Sequence, residues 1–448
     1  MNRTWALPPS VLALSADAPA PASLEDDDYE MADRVHQQLV RDLDDSVLRD
    51  PDRERARARI EMATRQTTTD LYPGLAGDAK EELISRVVDE VIGLGPIEPL
   101  LRDPRISEVM VNTPDEVYFE RDGVLHLSDA TFRDDAHIMR VIDRIVSSIG
   151  RHVDEASPMV DARLHDGSRV NVVIPPLAPR SPVITIRRFL GDRYTMDDLA
   201  SIGTLTQDMA TFLKACVIAR MAIVVSGGTG SGKTTLLNSL SGFIPERERV
   251  VTIEDPIELR LQQRHVIPLE ARPPSTEGRG EVTQRMLLRN ALRMRPDRIV
   301  VGEVRGAEAF DMLQAMNTGH DGSLTTVHAN TVRDALGRIE NMVLMAGLDL
   351  PLSAIRDQMA SAFYVVVQLS RMPDGSRKIT SISEVTGTEG PTITMQELFQ
   401  FKQRGIDHEG RVIGEHLATG IRPTFSDRLA AYGIHLDQSM FGVGRWGA

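Results

Sequence analysis

Gly227-Gly228-Thr229-Gly230-Ser231-Gly232-Lys233-Thr234 satisfies the pattern G-x-x-x-x-G-K-[ST] at every position. Residues of these types at this spacing cradle a polyphosphate. Glycines let successive backbone N–H groups converge on phosphate oxygens, because no side chain stands between them. A helix starting where the loop ends adds the partial positive charge of its N-terminus. Lys233 is placed to reach the β- and γ-phosphates and Thr234 to hold Mg²⁺. Thr235, Glu254 and Asp255 are grouped with these eight as nucleotide-binding residues, and the set calls for ATP with Mg²⁺. The context agrees: Ala222-Ile223-Val224-Val225 leads in as an apolar strand, and residues 236–240 lead out as a helix. The alternative is a glycine-rich turn that happens to precede a lysine. The chain has only five lysines (Lys80, Lys214, Lys233, Lys378 and Lys402), so one at this slot weighs against chance.

Acidic residues decide what such a cradle does. Glu254-Asp255-Pro256-Ile257-Glu258 follows a strand expected at 250–253. Carboxylates at the C-terminal end of a sheet strand stand where open α/β folds bind ligands. One of them could orient or deprotonate an attacking water; a solvated acidic turn is the plainer alternative. Ile299-Val300-Val301-Gly302-Glu303 reads as a buried strand ending in an acid, a Walker B-like arrangement with Glu303 available to Mg²⁺ or to a bridging water. Asp297, just before it, reads as structural. His320 and His328 flank a short strand-like run. They are candidates for sensing a γ-phosphate, or two ordinary structural histidines. Arg163, Arg169, Arg187 and Arg188 precede the cradle, and Arg293, Arg295, Arg298 and Arg305 surround the Walker B-like run. Any of these could supply positive charge to a phosphoryl transition state, and any single one could be a solvated surface group.

These residues need elements to hold them. Residues 1–23, rich in Ala, Pro and Ser, read as a flexible tail. Residues 24–79 read as a helical appendage, in which Val35, Leu39, Leu43 and Val47 recur every fourth position. Residues 80–190 read as an α+β domain. Its helices fall at 81–94 and 137–149, its strands at 106–112, 116–120, 169–174 and 183–189, with a hairpin turn at Arg121-Asp122-Gly123. A linker at 191–200 leads to βα alternation over 201–395, with strands expected at 222–226, 250–254, 265–269, 298–304, 323–328, 364–369 and 378–385. Such alternation predicts a doubly wound α/β sheet. Residues 396–448 form a mixed C-terminal segment ending in a helix at 426–432.

The chain has 448 residues, of which 41% are hydrophobic and 26% charged. That is enough for about three domains with real cores. A net charge of −14 argues against a large constitutive nucleic-acid surface, which would want a basic face. Cys216 is the single cysteine, so neither an intrachain disulfide nor a cysteine zinc site is available, which fits a reducing compartment. No apolar run reaches about 18 residues, and Pro8-Pro9 interrupts the start of the chain, so neither a membrane span nor a signal peptide is expected.

The motifs in this order resemble the secretion and pilus ATPases of the type II/type IV superfamily, and most of all the CpaF-type motors of tight-adherence (Flp/Tad) pili. Residues 252–258 resemble the family's Asp box. Residues 293–297 with 302–306 resemble its Walker B segment, and residues 316–323 with 326–330 its His box. The likeness extends upstream through 95–98, 157–164 and 166–171, and downstream to 419–425. It implies a RecA-like P-loop NTPase domain preceded by a PAS-like α+β domain and the small helical appendage. It also implies a homohexamer with ATP between the two domains. By position, Glu258 corresponds to the Asp-box glutamate taken as catalytic, Glu303 to the Walker B glutamate, and His320 and His328 to the His-box pair. Arg169 and Arg187 take the places from which the family's N-terminal domain reaches phosphate. The metal would be held by Thr234 and Glu303, with Glu303 acting through water.

The expected protein is therefore a cytoplasmic, Mg²⁺-dependent ATPase motor at the inner face of the cytoplasmic membrane, peripheral to it. It would act with inner-membrane platform proteins to assemble a pilus, with retraction left open, or to serve a related secretion system. No nucleic acid is expected as partner. The rivals are a RecA-like nucleic-acid translocase and a nucleotide-gated scaffold that binds ATP without turning it over.

Overall fold

The computed structural model describes residues 26–42, 53–121, 123–147, 150–188, 194–272, 274 and 279–442. The expected tail, Leu43 and Val47 of the appendage, Asp122 of the hairpin turn, residues 191–193 of the linker and most of the loop at 273–278 lie outside them. The chain divides into two compact units, Met1–Leu190 and Gly191–Ala448.

The first unit begins with helices α1 (Asp26–Asp42), α2 (Arg53–Leu71) and α3 (Asp78–Ile92). Their apolar stripes meet in a small core of Val35, Leu39, Ile60, Leu83, Ile84, Val87 and Val88. Six strands follow: β1 (Ile106–Thr113), β2 (Glu116–Arg121), β3 (Val124–Leu127), β4 (Met159–Arg163), β5 (Arg169–Val173) and β6 (Val183–Arg187). They form one sheet in the order β3-β2-β1-β6-β5-β4. Helix α4 (Asp135–Ser147) contributes Ile138, Val141, Ile142 and Ile145 to the same core as Val109, Val117, Val170, Val172, Ile184 and Ile186 of the strands. The alternation of the strands matches one buried face, as antiparallel sheets allow. Sequence patterning missed β4, whose outward residues Met159 and Asp161 obscure it.

In this sheet Arg163 pairs with Arg169, Arg169 with Arg187, and Arg187 with Glu108. Directly opposed residues share a face, so three arginines and a glutamate form a row across β4, β5, β6 and β1. Glu108 closes the row, its Oε1 lying 3.7 Å from Nε of Arg187.

The second unit is built on nine strands: β7 (Ile223–Gly227), β8 (Val250–Glu254), β9 (Val266–Glu270), β10 (Arg298–Val304), β11 (Leu324–Val327), β12 (Val365–Arg371), β13 (Arg377–Glu389), β14 (Thr392–Ile406) and β15 (Val412–Ala418). Their order is β15-β14-β13-β12-β7-β11-β10-β8-β9. From β12 to β9 every pairing is parallel, and from β12 to β15 every pairing is antiparallel. This is the expected RecA-like α/β class: β7 lies mid-sheet, and β10 and β11 are inserted between it and β8. Both faces of β7 are covered. Ile223 and Val225 belong to one core with Phe212, Leu236 and Leu240, while Ala222 and Val224 belong to a second with Leu313, Ile339 and Met359. A strand buried on two sides reads as a continuous apolar run, which is why 222–226 was legible. The break expected at 395/396 falls inside β14, because Thr392–Ile406 pairs along β13 and carries the sheet onward. Among the described residues, no helix is long and apolar enough to cross a membrane.

At the amino ends of these strands sits a buried ionic cluster. Arg298, 0% exposed, donates from Nε to Glu248 at 2.6 Å and from Nη1 to the Gly322 carbonyl at 3.1 Å, and Arg220 donates to the same glutamate at 2.9 Å. Burial of the Arg298 guanidinium is tolerable because it is paired with a carboxylate, which the partly exposed Arg220 shares.

Candidate functional site

The P-loop leaves β7 at Gly227 and enters helix α5 (Lys233–Ser241) through Gly232. Its glycines are required by space and backbone. A Cβ on Gly227 would stand 2.8 Å from the Leu369 carbonyl, and Gly230 and Gly232 hold φ of +68° and +94°, where other residues are strained. Ser231 Oγ donates to the Gly228 carbonyl at 2.8 Å. Thr229 is exposed at the tip of the loop, and Thr235 lies in the first turn of α5. Lys233 Nζ folds back onto the loop, donating to the carbonyls of Gly227 at 3.0 Å and Gly228 at 3.1 Å. No side chain caps α5 at Gly232, so the uncapped N-terminus faces the loop, an arrangement suited to an anion.

The acidic turn after β8 meets this helix. Thr234 Oγ1 donates to Glu258 Oε2 at 3.1 Å. Glu258 is aimed by Glu254, which is 2% exposed. Glu254 Oε2 accepts from the backbone N–H of Glu258 at 2.7 Å and of Leu259 at 2.8 Å, and Oε1 accepts from the Thr252 hydroxyl at 3.2 Å. Burial raises the Glu254 pKa, against the pull of these donors. Gly302 on β10 makes room for it: a Cβ there would lie 2.9 Å from Glu254 Cγ. The Glu254 carboxylate thus serves the turn's own backbone, while Asp255 is exposed.

Glu303, the sixth residue of β10, accepts from Arg305 Nε at 2.8 Å and lies 2.6 Å from its Nη2. The two histidines part company. β11 runs parallel to β7 with Val327 opposite Ser226, so His328 emerges beside Gly227 at the P-loop end. Its pKa falls below the ordinary histidine value, first through burial and then through the charge of Lys233, with Glu303 opposing. His320 precedes β11 at its other end, where Leu324 pairs with Ile223. Its carbonyl accepts from Ser323 Oγ at 2.8 Å, and its Nδ1 is buried without a hydrogen-bond partner among the described residues. The structure therefore gathers Gly227–Thr234, Glu254, Glu258, Glu303 and His328 at the carboxyl ends of the central parallel strands and leaves His320 a strand's length away. Arg169 and Arg187 belong to the first unit, side by side on β5 and β6.

Sequence reasoning passed over Arg371 and Arg377, which bound the β12–β13 turn. Arg377 Nε donates to the Gly230 carbonyl of the P-loop at 2.9 Å. No local spacing signals this, because it arises from β12 lying beside β7.

Among the described residues, no group of three or more His, Cys, Asp or Glu side chains could hold a metal by itself. Mg²⁺ does not require one, since it keeps several waters and takes few protein oxygens besides those of phosphates. The Thr234 hydroxyl, with Glu258 against it and Glu303 on the neighbouring strand β10, fits that demand. Convergent N–H groups, an ammonium and a hydroxyl–carboxylate pair can together hold a polyphosphate and direct water to it.

A family model described as type II/IV secretion system protein matches residues 90–415. A Mycobacterium tuberculosis protein provisionally named a conjugal transfer protein is 38% identical over 323 residues, spanning 70% of this chain and 91% of that protein. The type IV secretion system protein VirB11 of Brucella suis is 33% identical over 333 residues, spanning 68% of this chain and 92% of the relative. The solved structure of the Brucella suis VirB11 ATPase in complex with sulphate aligns with a TM-score of 0.36 at 32% identity, covering 64% of this chain and 94% of that one.

Proposed function

Because this chain belongs to the type II/IV secretion system protein family and is an ATPase of it, we propose that it works as a homohexameric motor powering assembly of a CpaF-type (Flp/Tad) pilus. It acts at the inner face of the cytoplasmic membrane with platform proteins embedded there. The observation that carries this reading is the Thr234–Glu258 hydrogen bond, which joins the P-loop to a carboxylate poised for water.

In this account the P-loop N–H groups and Lys233 hold the phosphates of ATP. Thr234 and, through water, Glu303 would hold Mg²⁺, which would supply charge neutralisation to the phosphates. Glu258 orients the attacking water and accepts its proton. His328, kept neutral, donates a hydrogen bond toward the γ-phosphate side. Arg169 and Arg187, on a PAS-like first domain, bring positive charge to the transferred group. ATP and water yield ADP, phosphate and a proton, and alternation between nucleotide states drives the motion.

Purified chain with Mg-ATP should form six-membered rings by native mass spectrometry and hydrolyse ATP without stimulation by DNA. Monomers alone, or hydrolysis that depends on DNA, would contradict the proposal. The kinship with a type IV secretion system protein favours one second reading, in which the same motor serves a secretion channel. Deleting the gene in its host separates the two: surface pili are lost in the first case and exported substrates in the second.

A further inference from the structure

The β12–β13 hairpin lies outside every motif that marks the nucleotide site, yet it grips the P-loop. β12 runs beside β7 until Leu369 stands opposite Gly227. Across the hairpin Arg371 pairs with Arg377. This register sets both guanidinium groups against the loop. Arg377 Nε donates to the Gly230 carbonyl at 2.9 Å. A Cβ on Gly232 would meet Arg377 Cδ at 3.2 Å, and one on Gly230 would meet Arg371 Nη1 at 3.4 Å.

The bond to Gly230 has a consequence for the next residue. A trans peptide is planar, so its C=O and N–H point in opposite directions. With the Gly230 oxygen drawn to Arg377, the Ser231 N–H points the other way, back across the loop. There it meets the Gly228 carbonyl at only 3.4 Å, a long and weak bond. Gly230 at φ +68° has no side chain to keep this peptide from turning over.

We propose that Arg377 is a positioning residue of the nucleotide site: it locks the Gly230–Ser231 peptide so that the Ser231 N–H is already set to receive a phosphate oxygen. Arg371 closes the space beside Gly230. The effect is preorganisation, which lowers the cost of ordering the loop when ligand binds. The inference rests on the reading of this loop as a nucleotide site and adds a residue to it from β13, two strands along the sheet from β7.

The test uses the full chain, with Arg377→Ala and Arg377→Lys compared with wild type. Calorimetric titration with Mg-ADP should show binding weakened about tenfold or more in Arg377→Ala, the scale of a lost charge-assisted hydrogen bond. Arg377→Lys, whose ammonium can still donate to the Gly230 carbonyl, should recover most of it. Without nucleotide, amide hydrogen exchange in the P-loop should quicken in Arg377→Ala, while the melting temperature stays within about 2 °C of wild type. Unchanged ADP affinity in Arg377→Ala would overturn the proposal. So would equal loss in both variants accompanied by a lowered melting temperature. Failure of the wild type to bind Mg-ADP would instead strike the nucleotide-site reading beneath it.

Discussion

The Thr234 hydroxyl donates to the Glu258 carboxylate at 3.1 Å across a sequence separation of 24 residues. The two side chains come from different edges of the site. Thr234 lies in the first turn of α5 after β7, and Glu258 in the turn after β8, with β11 and β10 between those strands in the sheet. The contact makes one centre of two motifs. It depends on a third residue, Glu254, whose buried carboxylate holds the turn that carries Glu258.

Glu254 and Glu258 should therefore separate by substitution. In Glu254→Gln the amide oxygen can still accept from both backbone N–H groups, and turnover should stay within about threefold of wild type. Glu258→Gln should lose about a hundredfold or more, the range for removing a general base. Stability should show the difference in environment. Burial raises the folded pKa of Glu254, so its stabilising contribution is complete below the unfolded carboxylate value and is lost as pH rises through the folded one. The amide introduced by Glu254→Gln has no such proton to lose. Thermal melts across pH should show the variant gaining on wild type toward neutral and alkaline pH, with the gain vanishing in acid.

His328 and His320 should also part. His328 stands at the P-loop end of β11, and replacing it with alanine should slow turnover about 10- to 100-fold, the worth of a hydrogen bond to a charged group. His320→Ala should leave turnover within about threefold. Burial and the charge of Lys233 lower the His328 pKa, with Glu303 opposing, so its protonation is displaced to the acid side of the ordinary histidine value. The acid limb that His328 contributes to the pH–rate profile should lie below the ordinary histidine value of about 6.5. Equal losses in the two alanine variants would contradict the placement.

Glu248→Ala should be among the most damaging changes away from the site. It removes the carboxylate shared by Arg298 and Arg220 and leaves a fully enclosed guanidinium unpaired. The expected loss is about 3–5 kcal/mol, read from denaturant unfolding. Lys402→Ala, on the antiparallel extension, should serve as a near-neutral control within about 0.5 kcal/mol.

The parts of this protein that were legible in its sequence are those whose signal is local. The P-loop is contiguous, and β7, β8 and β10 each carry a short, largely apolar stretch buried on both faces. β14 reads as a mixed segment because only Leu398 and Phe399 of its fifteen residues are buried and polar residues flank that pair. The separation of His320 from His328 was not legible either, since eight residues are close in a sequence but here span a strand. Arg377 is the plainest case: its bond to Gly230 joins residues 147 positions apart, and only sheet order brings them together. Position groups Glu254 with the nucleotide-binding residues, while its hydrogen bonds go to the Thr252 hydroxyl and to the backbone N–H groups of Glu258 and Leu259.

The most direct test of the account is the Mg-dependent ATPase rate of the purified chain beside Lys233→Ala and Glu258→Gln, with Mg-ADP binding measured on all three. Wild type should hydrolyse ATP steadily, Lys233→Ala should lose both binding and turnover, and Glu258→Gln should retain binding with turnover lost. Equal rates in the three proteins would contradict it.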